Sequence, residues 1–487
     1  MCGICGQFRF DSENVSSKTL TSMMSKLARR GPDSNGKWLE GKIGFGHQRL
    51  SIIDLSSHGN QPMVDDLLKL TLVFNGTIYN YKSLRSELID KGYSFFSHSD
   101  TEVIIKAYHY WGEDCVKYLD GMFAFCVWDQ PNQKLFIARD RMGIKPLYYN
   151  LSNKAFTFAS NSQALLTQEL DKSVNPLALQ QQLSLHGVVP APNTIINGIQ
   201  KVKPATVITI NTKGLLKEKT YWHPSANRSE RNLSDNEYVE KAHELLTAAV
   251  TKRMDASDVP IGVLLSGGLD SSLLVALLKE AGHEDIRTFS IGFEDIDNEA
   301  GSEFEYSDQI VSKFRTQHQK YVVSNAEVLP RLSEAVMNMA EPMVGQDAVA
   351  FYLLSEQVSK HIKVVLSGQG ADEAFAGYFW YPRMATEKGD EIERFSKHYV
   401  DRPHEEYLQA VMPTYQGDNH TSNWLNKEFA KTGADSFIDK VFRTDITKLI
   451  VDDPVKRVDN MTMAWGLEAR VPFLDTELVE WALKMPA

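Results

Sequence analysis

One segment constrains the second half of this chain more than any other. The apolar run Ile261-Gly262-Val263-Leu264-Leu265 breaks at Ser266-Gly267-Gly268-Leu269-Asp270-Ser271-Ser272. It resumes as a helical pattern carrying Leu273, Leu274, Leu277 and Leu278, which Gly282 ends. A strand, a glycine turn and a helix in this order build a parallel sheet, whose ligands sit at the carboxyl ends of the strands. The runs 287–293 and 363–366 supply further strands. Glycines let the backbone approach an anion, and the helix N-terminus adds free N–H groups. No Gly-Lys-Ser/Thr follows, so this is not a Walker loop. Asp270 would repel a phosphate held there unless a cation intervened, so it reads as a Mg²⁺ ligand. The bland alternative is a tight turn between strand and helix.

The first 215 residues have a different grain. Residues 121–128 are apolar on both faces, 129–133 form a turn and 134–138 return, a hairpin of the kind found between stacked sheets. Residues 71–74 make another strand ending at Asn75-Gly76, and helical patterns at 17–27 and 101–111 interrupt the strands. A layered α+β domain over 1–215 is expected. The polar stretch 216–233 reads as a linker. A capping box, Ser234-x-x-Glu237, opens a helix with Val239, Ala242, Leu245 and Leu246 on one face, and a second domain over 234–487. Residues beyond about 390 read as mostly helical. The chain stops at Ala487 within a helix-like pattern, which reads as a truncated C-terminus.

Composition excludes several classes. The formal charge of −11 argues against a general nucleic-acid surface. No apolar stretch approaches the roughly 20 residues of a membrane helix, and no secretory leader opens the chain. Four cysteines in 487 residues are too few for a disulfide scaffold, and Cys2-x-x-Cys5 has no second ligand pair for zinc. A cytoplasmic protein is expected.

Cys2 follows the initiator methionine. Were Met1 removed, its thiol would lie beside an α-amine of pKa about 7.7–8.0, so one residue would supply nucleophile and base. The alternative is a small buried residue at a strand start. The surrounding segments resemble class II glutamine amidotransferases: 1–6, Arg29-Arg30-Gly31-Pro32-Asp33, 46–54, 74–80, 99–102 and 138–149 match in order. The resemblance implies an N-terminal-nucleophile αββα fold and a set of roles. Cys2 would attack the glutamine amide. Asn75 and the Gly76 backbone would form an oxyanion hole. Arg49 would pair with the glutamine α-carboxylate and Asp100 with its ammonium, with Ile53 and Thr77 also against glutamine. Relatives often carry Glu where this chain has Thr77. His47 is given no catalytic part.

The Ser266 loop, 364–373 and 466–475 resemble the ATP-pyrophosphatase (adenine nucleotide alpha hydrolase-like) half of the asparagine synthetase family. That implies ATP as Mg²⁺ complex, with Leu265, Ser266, Gly267, Gly268, Asp270, Ser271, Ile291, Ser367 and Gly368 against the nucleotide, and Asp270 and Asp372 on the metal. An acceptor carboxylate would be adenylated, ammonia would displace AMP, and an internal ammonia passage is expected. Asparagine synthetases usually have Glu and Ser where this chain has Gln369 and Ala371, and the family's pyrophosphate-binding Lys lies beyond residue 475 in a stretch this chain does not reach. With 183–194 and 341–344, the chain looks like N-acetylglutaminylglutamine amidotransferases, which implies an acetylated dipeptide acceptor and an osmolyte product. Asparagine synthesis from aspartate and a non-catalytic glutamine or nucleotide sensor are the alternatives. The small-molecule partners are glutamine, ATP and the acceptor, and a homodimer is expected.

Overall fold

The computed structural model describes residues 2–229, 233–295, 301–343, 345 and 347–486. The first half stacks two antiparallel six-stranded sheets. One runs in the order Gln200–Lys201, Tyr148–Leu151, Ala155–Ala159, Gly3–Arg9, Ile43–Arg49, Ser34–Glu40. The other runs Leu216–Thr220, Thr206–Asn211, Lys134–Arg139, Gly121–Asp129, Leu70–Ile78, Met63–Asp65. Ile4, Phe8 and Phe45 of the first sheet pack with Val73, Cys126 and Ile137 of the second in one buried cluster. Leu20, Met23 and Met24 of the helix Ser17–Ser25 cover the first sheet's outer face through Cys5 and Ala159. The helices Tyr81–Asp90 and Asp100–Trp111 cover the second through Leu72, Phe74 and Phe125. The result is the αββα order of an N-terminal-nucleophile domain. The apolar pattern on both faces of 121–138 follows from it, because each inner strand is buried against a sheet on one side and helices on the other.

The second half is built on a parallel five-stranded sheet ordered Gln317–Val323, Arg287–Phe293, Ile261–Leu264, Val364–Leu366, Glu468–Arg470. The helix Leu269–Glu280 buries Leu274, Leu277 and Leu278 and ends before Gly282, whose φ of +88° suits a residue without Cβ. Beyond residue 390 the described elements are helical except for Glu468–Arg470. No described helix is long and apolar enough to cross a membrane.

Three expectations need correction. The strand at 71–74 does not end at Asn75-Gly76. It runs to Ile78, with Asn75 opposite Ala124 and Gly76 opposite Phe123. Glycine is required there by close backbone approach: a Cβ on Gly76 would lie 2.1 Å from the Met122 carbonyl oxygen. The linker does not begin at 216, because 216–220 form a strand paired with Thr206–Asn211. Residues 230–232 of the linker lie outside the described residues. The capping box is present, but on the helix Asp235–Asp255 Val239 is 68% exposed, and the buried stripe is Leu246, Ala249, Val250 and Arg253. The polar Arg253 was invisible to a hydrophobic pattern because its burial depends on Asp475, 2.9 Å away and 222 residues distant in sequence.

Candidate active sites

Cys2 sits just before the strand Gly3–Arg9 of one sheet, and Asn75 lies within a strand of the other. The Cys2 backbone nitrogen donates to Asn75 Oδ1 at 3.0 Å, and Arg30 Nε donates to the Cys2 carbonyl at 3.3 Å. Asn75 is wholly buried, and its Nδ2 has no hydrogen-bond partner among the described residues. A buried amide donor without an acceptor carries a desolvation cost, so its presence beside a thiol marks a place where an anionic oxygen would be welcome. Burial pushes the Cys2 thiol up, so it stays protonated without a base.

Cys2, Arg49, Ile53, Gly76, Thr77 and Asp100 line one narrow cavity of about 30 Å³. That is room for one or two waters. Ser99 caps the helix Asp100–Trp111 through Thr101 N, which places Asp100 in the first turn. Asp100 Oδ2 accepts from Ile78 N at 3.0 Å, and burial raises its carboxyl to about 6. Arg49 differs from a free fork: Nη1 donates to Ser56 O at 2.9 Å and Asn60 Oδ1 at 2.8 Å, and Nη2 to Asp54 O at 2.5 Å. It therefore ties down the loop 53–60 as well as facing the cavity. His47 lies outside the cavity lining. Its Nε2 donates to Phe74 O at 3.3 Å, and burial lowers it to about 3, leaving a neutral structural ring.

A second cavity of about 560 Å³ opens at the carboxyl ends of the parallel strands, a size typical of small-molecule sites. Leu265, Ser266, Gly268, Asp270, Ser271, Ile291, Ser367, Gly368, Gln369 and Asp372 line it. The loop is braced internally: Gly268 N donates to Ser266 Oγ and Ser271 Oγ donates to Gly268 O, each at 3.2 Å. Gly267 is the exception. Its φ is +91°, and a Cβ there would lie 2.6 Å from Ser307 N, so it turns the loop against the helix Phe304–Phe314 and does not line the cavity. Burial raises the Asp270 carboxyl, and Asp372 raises it further; burial also raises Asp372. Neither has an ion-pair partner among the described residues. Two uncompensated carboxylates on one cavity suit a hard divalent cation, with phosphate oxygens completing its shell.

The two cavities are joined by buried polar contacts that sequence reading did not find. Thr77 Oγ1 donates to Glu468 Oε1 at 3.2 Å. Arg470 Nε also donates to that carboxylate, at 2.6 Å. Glu468 starts the strand paired with Val364–Leu366, which leads straight into Ser367. Burial opposes ionisation of Glu468, but the surrounding cations, Arg470 and Lys145 among them, hold it down at about 2. Arg30 Nη1 and Lys145 Nζ converge on Asp459 at 2.9 and 3.3 Å. The motifs 29–33 and 466–475 contained several of these residues, but only the fold shows that they face one another.

Comparison with known proteins agrees with this two-part construction. Residues 1–222 match the model of a glutamine amidotransferase domain, and residues 241–487 that of asparagine synthase. The chain is 33% identical to "Asparagine synthetase [glutamine-hydrolyzing] 1" of Bacillus subtilis, over all of this chain and 81% of the relative. It is 32% identical to "Putative asparagine synthetase [glutamine-hydrolyzing]" of Mycobacterium tuberculosis, over 98% of this chain and 79% of the relative. "Amidase chry2" of Gibberella zeae is 27% identical over 98% of this chain and 79% of the relative. The chain belongs to the asparagine synthetase family, and is an ATP-dependent ligase that takes its nitrogen from glutamine.

Proposed function

We propose that the chain amidates the carboxylate of a small acceptor, with Cys2 releasing ammonia from glutamine and the Ser266 loop handling ATP. The observation that carries the first half is the buried Asn75 Nδ2 without a partner beside Cys2. Removal of Met1 would free the Cys2 amine, whose nitrogen already lies 3.0 Å from Asn75 Oδ1. The amine takes the thiol proton as Sγ attacks the amide carbon, and returns it to the departing ammonia. Asn75 Nδ2 and the Gly76 backbone stabilise the oxyanion. Arg49 and Asp100 hold the glutamine backbone, with Ile53 and Thr77 against its chain. Water then hydrolyses the thioester to glutamate.

In the second cavity Leu265, Ile291, Ser367 and Gly368 flank the nucleotide, and Ser266, Gly268 and Ser271 meet its phosphates. Asp270 and Asp372 would hold Mg²⁺, which supplies charge neutralisation to the phosphates. The acceptor carboxylate attacks the α-phosphorus and expels pyrophosphate. Ammonia then attacks the acyl carbon and expels AMP. An internal ammonia route between the two cavities would have to pass the buried Thr77–Glu468 contact.

N-acetylglutaminylglutamine is the acceptor we favour, because Gln369 stands where asparagine synthetases usually carry Glu and also lines the cavity. Aspartate is the second reading, supported by the names of the relatives. The test offers each acceptor with ATP, Mg²⁺ and glutamine, reading pyrophosphate and product mass. Cys2→Ala should abolish glutamine use and keep ammonium-dependent amidation. Loss of both in a folded variant refutes the coupled scheme, and asparagine as product refutes the dipeptide.

A further inference from the structure

Thr77 shares the wall of the first cavity with Cys2 and Asp100, but its hydroxyl is bound to the other half of the chain. It meets both oxygens of Glu468, at 3.2 and 3.5 Å, across 391 positions of sequence. Glu468 is fully buried and does not line the cavity itself. A carboxylate only accepts, and a hydroxyl has one proton to give. With that proton on Glu468, the Thr77 oxygen offers only lone pairs to anything else beside it. The neighbouring acceptor is Asp100, whose Oδ2 takes the nitrogen of the very next residue, Ile78, at 3.0 Å.

The carboxylate behind Thr77 is firmly placed. Arg470 Nε donates to it at 2.6 Å, and Arg470 Nη2 donates to Ala256 O at 3.0 Å. The Glu468 nitrogen donates to Lys363 O at 2.7 Å. Its charge also reaches the site: the Asp100 carboxyl and the Cys2 thiol are raised first by burial and further by Glu468. Resting on the glutamine reading above, we propose that Glu468 is a positioning residue of the first site, which acts through the Thr77 hydroxyl to give the α-ammonium of glutamine a second acceptor beside Asp100. An ammonium brings three donors into a desolvated space, and an unmatched donor there is costly. The second half of the chain thus completes the binding site of the first.

The test measures ammonia release by the full chain from glutamine and from glutaramate, which has the same amide and carboxylate but no α-ammonium. Thr77→Val removes the hydroxyl, and the KM for glutamine should rise about ten- to a hundredfold, the range of a hydrogen bond to a charged group. Its kcat, and its kcat/KM for glutaramate, should stay near wild type. Thr77→Ser keeps the hydroxyl and should keep the wild-type KM. Glu468→Gln should shift the KM in the same direction as Thr77→Val but less, since its amide oxygen still accepts. Should it fail to fold because Arg470 loses its counter-charge, the two Thr77 variants decide. An unmoved KM in folded Thr77→Val, an equal loss with glutaramate, or a Thr77→Ser variant as impaired as Thr77→Val overturns the relay and leaves the glutamine reading intact. No glutamine hydrolysis by the wild type overturns that reading, and the relay with it.

Discussion

Replacing Asp459 by asparagine tests whether the joint between the two halves is held electrostatically. Asp459 is 2% exposed and lies 2.9 Å from Arg30 and 3.3 Å from Lys145, which are themselves 6% and 1% exposed. The amide of Asp459→Asn would keep the shape and an acceptor oxygen but take from two buried cations their nearest counter-charge. Removing one partner of a buried ion pair costs about 3–5 kcal/mol. For units of this size each kcal/mol moves Tm by about 2–4 °C, so the shift should be about 6–20 °C downward. Differential scanning calorimetry at neutral pH measures it. The pH dependence gives a second check. Burial alone would raise the Asp459 carboxyl, but Arg30 and Lys145 hold it below the ordinary range. A depressed carboxylate stabilises fully above its unfolded pKa of about 3.9 and loses that contribution as pH falls below it. The wild type should therefore lose Tm more steeply than Asp459→Asn on acidification. Adding Lys145→Met to Asp459→Asn should recover part of the loss, because one orphaned charge is gone. A Tm unchanged in Asp459→Asn, or no recovery in the double variant, would refute the electrostatic account of the joint.

Four further outcomes follow from the same geometry. Gly76→Ala drives a Cβ into the Met122 carbonyl and displaces Asn75, so glutamine hydrolysis should fall about 10²–10³-fold, as when an oxyanion donor is lost; unchanged hydrolysis would contradict the role given to this strand. Arg49→Lys loses the planar fork that grips Ser56, Asn60 and Asp54, so the KM for glutamine should rise more than kcat falls in steady-state assays. Asp100 must be ionised to hold an ammonium, and its carboxyl is raised to about 6, so kcat/KM for glutamine should drop as pH falls through that value and Asp100→Asn should flatten that limb. Asp372→Asn removes half of the carboxylate pair on the second cavity, and on the proposed function ammonium-dependent pyrophosphate release should fall more than about a hundredfold, while glutamine hydrolysis persists.

Much of the layer plan was legible because burial writes itself into local patterns. Residues 121–138 are apolar on both faces since they lie between a sheet and helices, and the Ser266 loop announces itself by glycines between a strand and a helix. Ser234 and Glu237 carry their capping box in adjacent sequence. Where the reading failed, a local signal had been overruled by a distant neighbour. Asn75-Gly76 is a turn dipeptide that the register with Ala124 and Phe123 keeps inside a strand. Gly267 belongs to a phosphate-loop pattern, yet the packing of Ser307 and Tyr306 decides that it turns away from the cavity.

The sequence by itself determined the two-domain plan, the strand–loop–helix at Ser266, and the residue types gathered around Cys2, because each rests on short-range patterning or on a contiguous motif. Only the tertiary structure decided that Asn75 Nδ2 is left without a partner among the described residues, that Thr77 meets Glu468, and that Arg30 and Lys145 share Asp459. Charges and hydrogen-bond donors act on whatever lies within a few ångströms, and for these residues those neighbours are separated along the chain by tens to hundreds of positions.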